Sequence, residues 1–244
     1  MAARWHDNRN LTFIAIAGIA GLSFVLAAFL LGDGLRRARM AERSVTMRGL
    51  AERDVTADLA SWTIAFSEEG TELGPVQAAM DDKSRAVHAF FDRFGFAKGE
   101  VADTGTSVNE MYDRDRMRNS VTVRQTVQLR TRDVAKARAA FARQADLIRG
   151  GVALADGSGM IYSFTQLNKI KPQMIAEATR SAREGAVQFA RDSGTGIGGI
   201  KQATQGYFSI GARDGDVSEE GGSSAGDSPL QKVRVVTTIE FYVD

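Results

Sequence analysis

The sequence predicts an α+β fold: a largely antiparallel sheet with about three packed helices, preceded by one N-terminal transmembrane helix. Three observations carry this. Residues 11–32 (LTFIAIAGIAGLSFVLAAFLLG) contain no charged residue. Two stretches, Asp58–Ser67 and Ser120–Arg130, alternate apolar and polar side chains with the period of a half-buried strand. Elsewhere three segments repeat apolar residues every three to four positions, the period of a helix with one buried stripe.

The uncharged run comes first in the chain. As a helix it spans roughly 33 Å, enough to cross a hydrocarbon core of about 30 Å. A core helix of this length would show a polar face. A cleaved signal would have an apolar run of about 7–15 residues and a small-residue cleavage site. Neither pattern is met, so residues 11–32 read as an uncleaved anchor between a tail at 1–10 and a charged stem at 33–43. Membrane lipid is therefore the first partner predicted. Arg4 and Arg9 precede the anchor, and Arg36, Arg37, Arg39 and Arg43 follow it. That count alone places the large domain in the cytoplasm.

Beyond the stem, Ser44–Leu50 reads as a first strand and Glu52-Arg53-Asp54 as a charged turn. In the second strand Ala60, Trp62, Ile64 and Phe66 share a face. A helix follows from about Glu72 to Phe94, with Thr71 as cap, Pro75 in the first turn and Gly95 past the end. Leu73, Val76, Met80, Val87, Phe91 and Phe94 form its stripe. Gly99–Asn109 is a third strand, followed by the polar connection MYDRDRMRN. Val121, Val123, Val127 and Leu129 mark the inner face of the fourth. A second helix covers roughly Asp133 to Ile148, with Val134, Ala137, Phe141, Ala145 and Ile148 inward. Met160–Leu167 is a strand. Lys171-Pro172 opens a third helix to about Ser193, with Ile175, Ala178, Ala182, Ala186 and Phe189 as a small-residue stripe. Ala203–Gly211 and Lys232–Val243 are the last strands, separated by a Gly/Ser-rich loop at 212–231.

Composition narrows the function. The net charge of +1 gives no electrostatic case for nucleic acid. There is no cysteine, which removes disulfides and thiolate chemistry. Histidine occurs only as His6 and His88, too few for a histidine metal site. Gly194–Gly199 (GTGIGG) follows a helix and precedes a strand, the reverse of a phosphate loop, so it reads as a helix stop. Glu68–Glu69 would point to opposite faces of a strand, and Glu219–Glu220 lie in the loop; neither pair converges on a substrate. Arg114, Arg116 and Arg118 alternate with Asp113 and Asp115 and read as solvated. Asp156–Gly159 (DGSG) is too short to hold calcium. The prediction is no catalytic residue, no metal, no cofactor and no enzyme activity.

Three blocks in order then carry a resemblance. VTMRGLAERDVTADLASWTIAF at Val45–Phe66 resembles the opening of the SIMPL domain. FTQLNKIKPQMIAEATRSAREGAVQFARDSGTGIGGIKQATQGYFSI at Phe164–Ile210 resembles its alanine-rich third helix, glycines and strand. KVRVVTTIEFYVD at Lys232–Asp244 is similar to its final strand. The resemblance covers 44–244 and extends to bacterial exported proteins, among them a periplasmic immunogenic protein and one linked to oxidative-stress defence. It implies an α+β fold, a periplasmic domain on a bacterial inner-membrane anchor, and homo-oligomers. It supplies no catalytic residues.

Two readings of function follow. One is a self-assembling envelope protein, contributing to stress tolerance. The other is a binding module for a small ligand or envelope component, with a pocket reached by Trp62 or Tyr162. A carboxylate hydrolase would need two acids converging in a cleft, which the sequence gives no reason to expect.

Overall fold

A computed structural model describes residues 5–41, 43–113, 117–214 and 226–243. In chain order the elements are α1 (Trp5–Ala41), β1 (Ser44–Thr56), β2 (Leu59–Gly70), α2 (Leu73–Arg93), β3 (Val101–Asp113), β4 (Arg118–Thr131), α3 (Val134–Phe141), α4 (Ala145–Arg149), β5 (Gly159–Ser163), α5 (Leu167–Ser193), β6 (Ile197–Ala212) and β7 (Leu230–Val243). The strands form two sheets, β3-β4-β2-β5 and β1-β7-β6. The α+β class holds, with two sheets where the sequence pattern suggested one.

The chain divides into two compact units, Leu50–Glu177 with Tyr207–Val236, and Met1–Gly49 with Ala178–Gly206 and Thr237–Asp244. In the larger unit β2 pairs antiparallel with β4 and with β5, and β3 with β4. Trp62 lies opposite Leu129 and Ile64 opposite Val127, so the alternating rows meet on one face. Helix α2 covers that face with Val76, Met80, Val87, Phe90 and Phe91, all buried. Fully burying a side chain such as Phe91 contributes about 1.5–3 kcal/mol. Trp62 is fully buried and meets Phe90, Phe91 and Phe141 edge-on, at 5.9, 5.4 and 5.2 Å between ring centres. That is the favoured arrangement for aromatic quadrupoles.

In the smaller unit the C-terminal part of α5 packs on strand residues. Ala182 and Ala186 join Ile239 and Phe241 of β7, with Val45 and Met47 of β1 and Ile197 of β6 around them. The Arg183 guanidinium stands 5.4 Å above the Phe241 ring. Gly49 of β1 meets the α5 backbone at Ala178 and Ala182. Glu240 accepts hydrogen bonds from the Ser44 hydroxyl and, at 3.0 Å, from the Lys201 ammonium. Both donors favour its charged form and hold its carboxyl below the usual range.

Several elements depart from their sequence reading for identifiable reasons. Helix α1 extends past both ends of 11–32, through the expected stem to Ala41. The stem residues are good helix formers, and the glycines at 32 and 34 do not stop them. Strand β1 continues through Glu52-Arg53-Asp54, where a turn was expected. Arg53 hides the alternation, because its stem is half-buried while its guanidinium donates to Gln173 and Glu177 at 2.9 and 2.7 Å. Glu72, with no side-chain hydrogen bond, caps α2 instead of Thr71. Phe90 replaces Leu73 and Phe94 in the buried stripe.

The expected helix over Asp133–Ile148 breaks into α3 and α4. At the break Arg143 donates to Ala140, Gln144 to Phe141 and Leu147 to Gln144, three-residue bonds that overwind the helix. Leu147 turns inward as a result and Ile148 is exposed. Strand β5 is shorter than Met160–Leu167, because α5 starts at Leu167 and leaves Pro172 inside it. Proline there has no N–H for the carbonyl four residues back. The buried stripe of α5 is Met174, Ala178, Ala182, Ala186 and Ala190, while Phe189 is exposed. Of the loop expected at 212–231, residues 215–225 lie outside the described residues; Ala212 belongs to β6, and Leu230 and Gln231 to β7.

Candidate functional site

The first place to look is around Trp62 and Tyr162, the side chains a ligand pocket would have used. Both are buried in the same aromatic and aliphatic core. Trp62 is enclosed by phenylalanines, and its Nε1–H has no hydrogen-bond partner among the described residues. Burial pushes the Tyr162 phenol above its ordinary value. Its backbone N–H donates to the Gly226 carbonyl at 2.8 Å, and its carbonyl accepts from Gln231 Nε2 at 2.9 Å. These groups are structural: they close the outer edge of β5.

A cleft of about 500 Å³ lies where β2 begins and β4 ends, lined by Leu59, Glu100, Arg130, Thr131, Arg132 and Thr165. Its carboxylate, Glu100, is engaged by neutral donors. Glu100 accepts from the Thr131 hydroxyl at 2.5 Å and the Ala97 N–H at 2.9 Å, which lowers its pKa. Beside the cleft, burial alone would raise the Asp58 carboxyl. The Thr165 N–H at 2.6 Å, the Gln166 amide at 3.0 Å and the Thr165 hydroxyl at 2.8 Å outweigh that and lower it. Arg130 and Arg132 have no ion-pair partner among the described residues. Arg130 lies in β4 and Arg132 just past its end, and both line the cleft. Sequence reading missed this pair; an arginine near the end of a strand and a second one directly after it were the available signal.

The other candidates stay apart. Glu68 pairs with Lys83, while Glu69 accepts from Ser120 at 2.9 Å, so the two adjacent acids serve separate partners. Glu52 lies 3.7 Å from Arg234. His88 Nε2 is 3.1 Å from Asp103 Oδ1 on an exposed face; the His6 side chain lies outside the described residues. In Asp156–Gly159, Gly157 takes φ +92° and Ser158 donates to the Ala155 and Ala65 carbonyls, which makes a turn. Gly194 takes φ +67° after α5, and the glycines at 198 and 199 already belong to β6. Arg114, Arg116, Glu219 and Glu220 lie outside the described residues, and Arg118 opens β4 opposite Asp113. Among the described residues no three acidic or histidine side chains gather as metal ligands.

Two kinds of surface remain unaccounted for. Ile16–Gly34 is long and apolar enough to cross a membrane, and none of it is buried. Leu22, Phe24 and Leu31 are each more than 70% exposed. The other surface consists of strand edges. β3 is exposed from Ala102 to Tyr112, and β6 from Gly199 to Tyr207.

A family model described as SIMPL, "Protein of unknown function (DUF541)", matches residues 45–241. No curated protein matches the chain.

Proposed function

This chain belongs to the SIMPL family, and from that premise we propose a non-enzymatic, membrane-anchored protein of the bacterial cell envelope that assembles with copies of itself. The observation that carries the reading is the bare apolar helix at Ile16–Gly34. Leaving that much apolar surface in water costs far more than a soluble domain tolerates, and a bilayer removes the cost. Long open strand edges support self-assembly, since each presents unpaired backbone donors and acceptors. Asp58, Glu68, Glu69 and Glu100 bond to backbone, amide, hydroxyl or ion-pair partners, which favours a structural over a catalytic role for them. The exported relatives favour a periplasmic domain and a part in stress tolerance, against the arginine count. Light scattering of the detergent-solubilised full chain tests the reading: a mass of two or more copies supports it, and a monomer at every concentration contradicts it.

The cleft bearing Arg130 and Arg132 favours a second reading, a binding module for a small anion. Paired guanidiniums recognise carboxylate or phosphate in a bidentate manner. Titration of the solubilised protein with citrate and phosphate, against an Arg130→Ala/Arg132→Ala variant, decides it.

A further inference from the structure

We infer that two copies join through the outer edge of β6, strand against antiparallel strand about a two-fold axis. The inference rests on the self-assembly reading and names its surface. Strand β6 is the last member of the order β1-β7-β6. No described segment pairs with its other side, and every residue from Gly199 to Tyr207 is exposed, so both faces and one edge are open.

Natural sheets protect such edges with charges, bulges, proline or a covering segment. The other three edges here show these devices. β5 is covered where Tyr162 bonds to Gly226. β3 has an irregularity between Asp103 and Gly105 and three acids, Asp103, Glu110 and Asp113. β1 carries Arg48, Glu52, Arg53 and Asp54. Among the described residues β6 is the least protected of the four. In Ile197–Ala212 (IGGIKQATQGYFSIGA) the only charge is Lys201, already bonded to Glu240, and there is no proline. An edge with a single, already engaged charge, beside three better defended ones, points to a partner that covers it.

A second copy fits that partner. Two β6 strands bring together nearly neutral surfaces, and any register centred away from Lys201 keeps the two ammoniums apart. Pairing over the exposed stretch exchanges about one bond per residue, in the range of the ~10 ± 5 direct bonds of a specific interface. The product is a continuous six-stranded sheet, an ordinary size. Tethering in one membrane raises the effective concentration of the partner, so a modest ladder suffices.

The natural chain lacks cysteine, which permits a direct test in membranes. Gln202→Cys, Thr204→Cys and Gln205→Cys on β6, and Ser107→Cys on β3 as control, are oxidised and resolved on non-reducing gels. The expected result is conversion of most of the monomer to a disulfide dimer at one or two neighbouring β6 positions, falling off on either side, and little at Ser107→Cys. If the β6 variants cross-link no more than the control while the unsubstituted chain is still larger than a monomer in detergent, the β6 assignment is wrong and self-assembly stands. A monomeric unsubstituted chain overturns both.

Discussion

Gly49 on β1 stands against Ala182 on α5 with no space for a side chain. A Cβ at position 49 would lie 2.8 Å from the Ala182 Cβ, 2.5 Å from its backbone nitrogen, and closer still to the Ala178 carbonyl oxygen. The alanine stripe of α5 lets helix and strand backbones approach to contact, and glycine is the residue that permits it.

Gly49→Ala is therefore expected to destabilise by at least the ~1–3 kcal/mol typical of overpacking. That lowers the thermal midpoint by several degrees in a chain of this size. Gly199→Ala, where a Cβ meets nothing within 4 Å, should leave the midpoint nearly unchanged. Ala182→Gly should not rescue Gly49→Ala, because the nearest obstacles are backbone atoms. Circular dichroism melts of the four proteins check all three expectations.

Trp62 is the centre of the larger core. Trp62→Ala should cost about 3–5 kcal/mol through the cavity it leaves. Trp62→Phe should cost less than half of that, since it keeps a ring among Phe90, Phe91 and Phe141 and removes a buried N–H that has no partner among the described residues. Urea titration followed by far-ultraviolet circular dichroism measures both. Equal losses would mean that ring packing is not what holds this core.

Much of this was legible in the sequence because it depends on periodicity. The rows Ala60–Phe66 and Val121–Leu129 announce themselves by alternation, and α2 by its stripe. What was hidden depends on partners distant in the chain. Arg53 masks the length of β1 because it pairs with Gln173 and Glu177. The overwound bonds after Ala140 shift the helical phase so that Leu147, not Ile148, is buried. The residues that secure the start of α5 come from Asp58, more than a hundred positions away. Arg130 and Arg132 were missed for the same reason, since their cleft needs Glu100 and Thr165 to exist.

Acid should weaken the fold through Asp58 and Glu100. Both carboxyls are held below their ordinary range in the folded state by the hydrogen bonds they accept. Between the folded and unfolded values the unfolded chain binds more protons. The contribution is therefore complete above the unfolded pKa and is lost as pH falls through the folded one. The thermal midpoint should drop on going from about pH 5.5 to about pH 3. Asp58→Asn should make that drop shallower. An unchanged pH profile in the variant would remove Asp58 from the account.

Charge placed in the apolar helix should release the protein from the bilayer. Leu22→Arg together with Leu26→Arg adds about 2.5–3.5 kcal/mol per arginine at the centre of a span. The unsubstituted chain should stay with carbonate-washed membranes, and the double variant should move largely to the supernatant. Retention of the variant would mean that another surface holds the protein to the membrane.

The central claim is a tethered domain on the outer side of the inner membrane, and sidedness tests it most directly. Intact spheroplasts are treated with protease and the domain after residue 44 is followed with an antibody. The account predicts digestion from outside without lysis. Protection in intact spheroplasts, lost on lysis, would contradict it, place the domain where Arg36, Arg37, Arg39 and Arg43 point, and move the search for its role to the cytoplasm.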